Sequence, residues 1–168
     1  MIPQKHNLLW VSTGSLEKSL DSATWLDTSK ELCHSGWQVT LIVVGTANPQ
    51  SFYGVEILSI PRPEIYLLRQ LIFHARVFAF ILRRVDTFDA ILFHSMSAPW
   101  LLSLRIVRRL RNRQLPAFVM DTRTLEMSQE GKEGWKDRLR RHYHLLVEKL
   151  TNDWADGRLA ITQRMADA

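Results

Sequence analysis

A single cysteine, Cys33, stands among 168 residues, so no internal disulfide can form and the chain suits a reducing compartment. Long hydrophobic runs are also missing. The greasiest stretch, IYLLRQLIFHARVFAFILRR at 65–84, is interrupted by Arg69, Gln70, His74 and Arg76. A membrane span needs about 20 predominantly apolar residues with few charges, so this stretch reads as a buried or interfacial helix. The opening MIPQKHNLLWVSTG has one short apolar run and is not read as a signal peptide. Glycine and proline are sparse (7 and 6), and no linker, repeat or low-complexity tract interrupts the chain. One domain over residues 1–168 is expected. Acidic residues are the minority, 17 against 22 basic, giving a net charge of +5 and a bias towards anionic partners. The excess lies in arginine, which matches phosphate geometry. No aromatics interleave with the basic run 105–113, which sets nucleic acid aside. No cysteine or carboxylate stands at metal spacing from His94, and His142 and His144 do not share a helix face, so no metal site is expected.

What is present is a series of short apolar runs: LLWVS (8–12), QVTLIVV (38–44), VEILSI (55–60), AILF (90–93), AFVM (117–120) and RLAI (158–161). Most are continuously apolar, as in strands covered on both faces. Helical segments lie between most of them, at 22–32, 65–83, 99–111 and 135–153. The first ends at Gly36, which can take a left-handed cap, and the third begins on Pro99. GTANPQSFYG (45–54) reads as a loop or turn. In 105–113, Arg105, Arg108 and Arg109 are assigned to one side and Leu102, Ile106 and Leu110 to the other. In 132–150, Trp135, Leu139, Leu146 and Leu150 are taken as packing residues. The alternation predicts a Rossmann-like, three-layer α/β/α domain with a mostly parallel sheet of about six strands.

In such a sheet, ligands bind beyond the carboxyl ends of the strands. The loops there begin at Thr13-Gly14-Ser15, Gly45, His94-Ser95, Asp121-Thr122-Arg123 and Thr162. Gly14 allows a close backbone approach to phosphate or sugar, or simply a flexible loop; the spacing is neither G-x-G-x-x-G nor a Walker loop. His94 can bond a ligand hydroxyl or phosphate, or a nearby carbonyl. Asp121 can accept a hydroxyl proton and Arg123 can orient it or hold an anion; the pair can equally order a loop. The arginine-rich helix 105–113 and the greasy helix allow contact with an anionic membrane surface.

Taken in order, these residues resemble the N-terminal half of a family 4-type glycosyltransferase of the two-domain GT-B architecture. SKELCHSGWQVTLIVVG is similar to the family's helix, G-H-x-V and strand passage, with Trp37 in place of the histidine. FDAILFHS matches it at Asp89 and His94. PAFVMDTRTL is similar to the strand and loop where relatives carry an aspartate-arginine-aspartate-leucine run. ADGRLAITQRMADA is similar to the passage that closes the N-domain, with Thr162 in place of serine.

The resemblance implies transfer of a sugar from a nucleotide diphosphate donor to an acceptor hydroxyl, in polysaccharide, glycolipid or cell-envelope glycan synthesis. It implies no metal and no other cofactor. Asp121 and Arg123 are then assigned to acceptor positioning, Gly14 and Ser15 to the donor phosphate side, His94 and Ser95 to acceptor or sugar contact, and Thr162 to the interdomain edge. The family's glutamate-x(7)-glutamate motif belongs to a second, donor-binding domain. The expectation is an acceptor-side domain, inactive alone, that works with a C-terminal domain or a separate subunit. Its expected setting is cytoplasmic, with peripheral contact at the inner face of a membrane and a glycan or lipid-linked acceptor. Two other classes stay open: a standalone small-anion-binding domain and an interaction module for a separate subunit.

Overall fold

A computed structural model describes residues 6–46, 50–61, 63, 66–110, 114–122 and 134–160. The chain runs β1 (His6–Val11), α1 (Ser22–His34), β2 (Trp37–Val44), β3 (Gln50–Phe52), β4 (Val55–Ile60), α2 (Tyr66–Arg84), β5 (Ala90–His94), α3 (Ala98–Leu110), β6 (Ala117–Thr122), α4 (Trp135–Trp154) and β7 (Gly157–Ala160). The strands form one sheet in the order β3-β4-β2-β1-β5-β6-β7. All pairings are parallel except β3 with β4. The expected α/β layering and mostly parallel sheet are present, with seven strands where about six were expected.

The added strand is β3. It pairs antiparallel to β4 through a two-residue turn, with Tyr53 at φ 50° and Gly54 at φ 86°. Two central residues at positive φ are the hairpin geometry that matches strand twist. Tyrosine is not a usual residue there, so the segment carried no Asn-Gly or Asp-Gly signal. Lys30 lies 4.8 Å from the Tyr53 ring centroid. The cap expected at Gly36 is in place, at φ 92°.

Strand order explains which face each helix covers. From β1 the chain steps one way to β2 and β4; from β5 it steps the other way to β6 and β7. Right-handed crossovers then put α1 on one face and α2, α3 and α4 on the other. The two apolar clusters agree. One joins Leu9, Val11, Phe93 and Phe118 to Phe73, Val77 and Ile81 of α2, Leu101 and Leu104 of α3, and Val147 of α4. The second joins Trp10, Leu41 and Leu92 to Trp25 of α1.

The helix faces depart from the sequence reading in two places. Arg108 is buried: it forms an ion pair with Asp86, and its Nε donates to the Gln114 carbonyl at 3.1 Å. Arg105 turns towards Asp156, 2.9 Å away. Ile106 and Leu110, assigned to the packing side, are exposed, Leu110 by 82%. On α4 the four expected packing residues are also exposed; Val147, Thr151 and Trp154 carry the contact with the sheet face instead. Among the described residues, no helix is long and apolar enough to cross a membrane.

Asp156 closes the α4–β7 connection. Its Oδ2 accepts from the Phe118 amide at 2.8 Å and from Arg105, while its own amide donates to the Phe118 carbonyl at 2.7 Å. Asp89 works similarly, accepting from the Asn7 amide at 2.7 Å. Asp156→Ala is therefore expected to destabilise the fold by about 1–2 kcal/mol, and Asp156→Asn by less, since the amide oxygen can still accept. Urea denaturation followed by circular dichroism checks this; equal losses for the two variants would contradict it.

Candidate functional site

The sheet reverses direction between β1 and β5, and a ligand crevice forms outside the carboxyl ends of strands at such a point. Three strands deliver polar residues there. Val11 is in register with Phe93, and His94 with Asp121. Ser12, one residue beyond Val11, thus falls beside His94. Ser12, His94 and Asp121 form a row across β1, β5 and β6, with neighbouring strands about 4.8 Å apart. Alternation places all three on the α1 side of the sheet, with Trp10, Leu92 and Val119 below them.

Asp121 is 7% exposed and Ser12 is buried, whereas His94 is partly open. The His94 ring nitrogen Nδ1 accepts from the Met96 amide at 3.3 Å. In the neutral ring this puts the proton on Nε2, which makes that nitrogen a donor. Ser95 opens the short 3₁₀ turn Ser95–Ser97 that leads into α3. A hydroxyl entering this row would meet a carboxylate that accepts its proton and a ring N–H that donates to its oxygen. Sequence reasoning identified His94 and Asp121 separately. It missed Ser12, whose position depends on strand order.

The loop after β1 is well anchored. The Ser12 amide donates to the Ile42 carbonyl, the Val44 amide to the Gly14 carbonyl, and the Gly14 amide to Ser12 Oγ. The Ser15 carbonyl accepts from the Ser19 amide at 3.0 Å, and Ser15 Oγ accepts from the Glu17 amide at 3.3 Å. Gly14 has a packing reason to be glycine: a Cβ there would stand 2.5 Å from Trp25 Cη2 and 3.3 Å from Ser19 Cβ. Ten residues separate β1 from α1, far longer than the tight turn of a dinucleotide site.

On the opposite face Thr122 Oγ1 accepts from Arg158 Nε at 3.1 Å, and Arg158 pairs with Glu148 at 3.0 Å. This chain of contacts ties the end of β6 to β7 and α4. Arg123 and Thr162, both expected at the site, lie outside the described residues. Among the described residues, no three His, Cys, Asp or Glu side chains come together as metal ligands.

This arrangement, a doubly wound sheet with polar residues at its switch point, is that of a Rossmann-like domain. The Glycosyl transferase 4-like domain family matches residues 22–168, and the chain belongs to that family. No curated protein matches it. Solved structures with a similar fold include UGT2 of Phytolacca americana, complexed with UDP-2fluoro-glucose and pterostilbene. It shares 13% identity at a TM-score of 0.46, over 73% of this chain and 32% of that one. Another is the glycotransferase of kitacinnamycin, at 18% identity and a TM-score of 0.46, over 90% of this chain and 37% of that one. The chain spans about a third of the length of these proteins.

Proposed function

We propose that this chain is the N-terminal, acceptor-side domain of a glycosyltransferase that moves a sugar from a nucleotide diphosphate donor to an acceptor hydroxyl. Family membership over residues 22–168 carries this reading, and the row Ser12, His94, Asp121 at the switch point supports it. In this reading Asp121 accepts a hydrogen bond from the acceptor hydroxyl and His94 donates one from Nε2, so that the hydroxyl oxygen is aimed at the sugar. Gly14 and Ser15 lie on the donor phosphate side, with Ser95 beside the sugar. Arg123 holds the acceptor and Thr162 the interdomain edge. A second domain supplies most of the donor contacts, and no resident metal or cofactor takes part. The acceptor belongs to a polysaccharide, glycolipid or cell-envelope glycan, and the enzyme works on the cytoplasmic side.

The test uses the chain together with its donor-binding domain, given a panel of nucleotide diphosphate sugars and glycan or lipid-linked acceptors. Acceptor-dependent release of nucleoside diphosphate is expected, unchanged by a chelator. Asp121→Ala is expected to lower kcat/KM for the acceptor about 100-fold, the size of effect that misplacing a reacting group produces, with donor affinity retained. The 168-residue chain alone should not turn over. Turnover by that chain, or tight saturable binding of a small anion to it, would replace this reading with that of a self-sufficient domain.

A further inference from the structure

Helix α4 is longer than the sheet it covers. Among its described side chains, every buried one lies at Val147 or later. Its contacts include the turn Ser95–Ser97, at the carboxyl end of β5. Residues 135–146 therefore run past the carboxyl edge, an overhang on the order of 18 Å at 1.5 Å per residue. This is the edge that bears Ser12, His94 and Asp121.

An ordered surface begins on the overhang and continues past it to Leu150. Trp135, Leu139, Tyr143, Leu146 and Leu150 follow one another at spacings of four, four, three and four residues, which is one helical stripe. All five are exposed, by 72%, 64%, 48%, 56% and 50%. A line of exposed polar residues, Arg138, His142 and Lys149, runs beside it. In sequence, 135–146 holds four cationic residues, Lys136, Arg138, Arg140 and Arg141, and one acidic residue, Asp137, while Glu148 and Asp153 fall in the half that covers the sheet. Apolar stripe and positive charge thus coincide on the part of α4 that leaves the domain. The first turns of α2, which start from the same edge on the same face, expose Leu68 and Leu71.

We infer that the overhanging half of α4 docks on an anionic lipid bilayer, with the leucine stripe in the headgroup–acyl boundary and the arginines and lysines among lipid phosphates. A basic amphipathic helix with Trp and Leu on its apolar side is suited to lie in that plane, and long cationic side chains reach back to the headgroups. A second copy of this chain fits less well, because a two-fold interface would set this positive half against itself. Two of the three arginines of α3 named above do not supply the charge: Arg105 and Arg108 are turned to Asp156 and Asp86. Docking would bring the carboxyl edge to a lipid-borne acceptor. That last step rests on the transferase reading; the docking itself does not.

Flotation of the 168-residue chain with vesicles of phosphatidylcholine, alone or with roughly a third phosphatidylglycerol, tests docking without any transfer assay. Binding to the anionic vesicles is expected, weakened by high salt. The double variant Leu139→Gln, Leu146→Gln should lower the partition roughly tenfold, and Arg138→Glu, Lys149→Glu should also reduce it. Circular dichroism and Tm should stay unchanged, since these side chains are exposed. The single cysteine permits a second readout: Cys33→Ser with Leu146→Cys, labelled with an environment-sensitive dye, should brighten and shift to the blue on anionic vesicles. Three outcomes overturn the proposal: no flotation with either composition, flotation that the double leucine variant leaves intact, or a leucine-dependent dimer that binds no vesicles. Loss of docking with transfer to soluble acceptors intact would remove this inference alone.

Discussion

Replacing Trp154 by alanine is expected to cost about 3 kcal/mol and to lower Tm by roughly 6–12 °C. The indole lies parallel to Phe93, with centroids 5.5 Å apart and planes at 7°, and meets Phe118 edge-on at 5.8 Å. Phe93 and Phe118 are fully buried and Trp154, itself partly exposed, covers them, so truncation uncovers the core at β5 and β6. The Arg105 guanidinium stands 5.9 Å from the indole centroid and also pairs with Asp156. Trp154→Phe keeps part of the stack and should lose only about 1 kcal/mol. Denaturation of both variants by urea, followed by circular dichroism, checks the pair. A loss below about 1 kcal/mol for the alanine variant would mean that α4 is held chiefly by Val147 and Thr151. The position matters for the site, because the stack fixes the end of α4 whose other end stands over the carboxyl edge.

The strands were legible because a parallel sheet covered on both faces demands continuous apolar runs, and little else in a soluble chain does. Strand β3 was not legible, since its turn uses Tyr53 at positive φ instead of the usual asparagine or glycine pair. Helix periodicity located α3 and α4 to within a residue or two, yet misassigned their faces. A 3.6-residue repeat shows that an apolar stripe exists, not what lies against it. On α3 the long Arg108 side chain is held inside by Asp86 and the Gln114 carbonyl, while Leu110 is left outside. On α4 the stripe that looked like core faces outwards, and Thr151, buried with its hydroxyl donating to the Val147 carbonyl, packs in its place.

The candidate site was half legible. His94 and Asp121 were identifiable as strand-end residues in the sequence. Their adjacency was not, because 26 residues, all of α3 among them, lie between His94 and Asp121, and pairing depends on strand order. Ser12 becomes their neighbour for the same reason. Asp89, one of the residues that carries the family resemblance, is explained by its bond to the Asn7 amide at the opposite edge of the sheet.

Gly14→Val is expected to destabilise the chain by about 2–3 kcal/mol through overpacking. The clash falls on Trp25 Cη2 at 2.5 Å and Cζ3 at 3.2 Å. That ring is buried in the cluster with Trp10 and Leu41, so it has no solvent side to swing into. The loop cannot yield easily either, because the Gly14 carbonyl holds the Val44 amide at 2.8 Å and the Gly14 amide holds Ser12 Oγ. Trp25→Leu alone should also destabilise, by leaving a cavity, but the double variant should lose less than the sum of the two. A coupling of at least about 1 kcal/mol is expected for residues in such contact; simple additivity would mean that the glycine is needed for something other than the ring. The same cycle bears on the proposed donor side. If nucleotide-sugar affinity in the two-domain protein recovers when Trp25→Leu relieves Gly14→Val, the glycine serves the site by letting the loop close over Trp25. If stability recovers and affinity does not, the bare backbone at Gly14 is itself what the donor phosphate approaches.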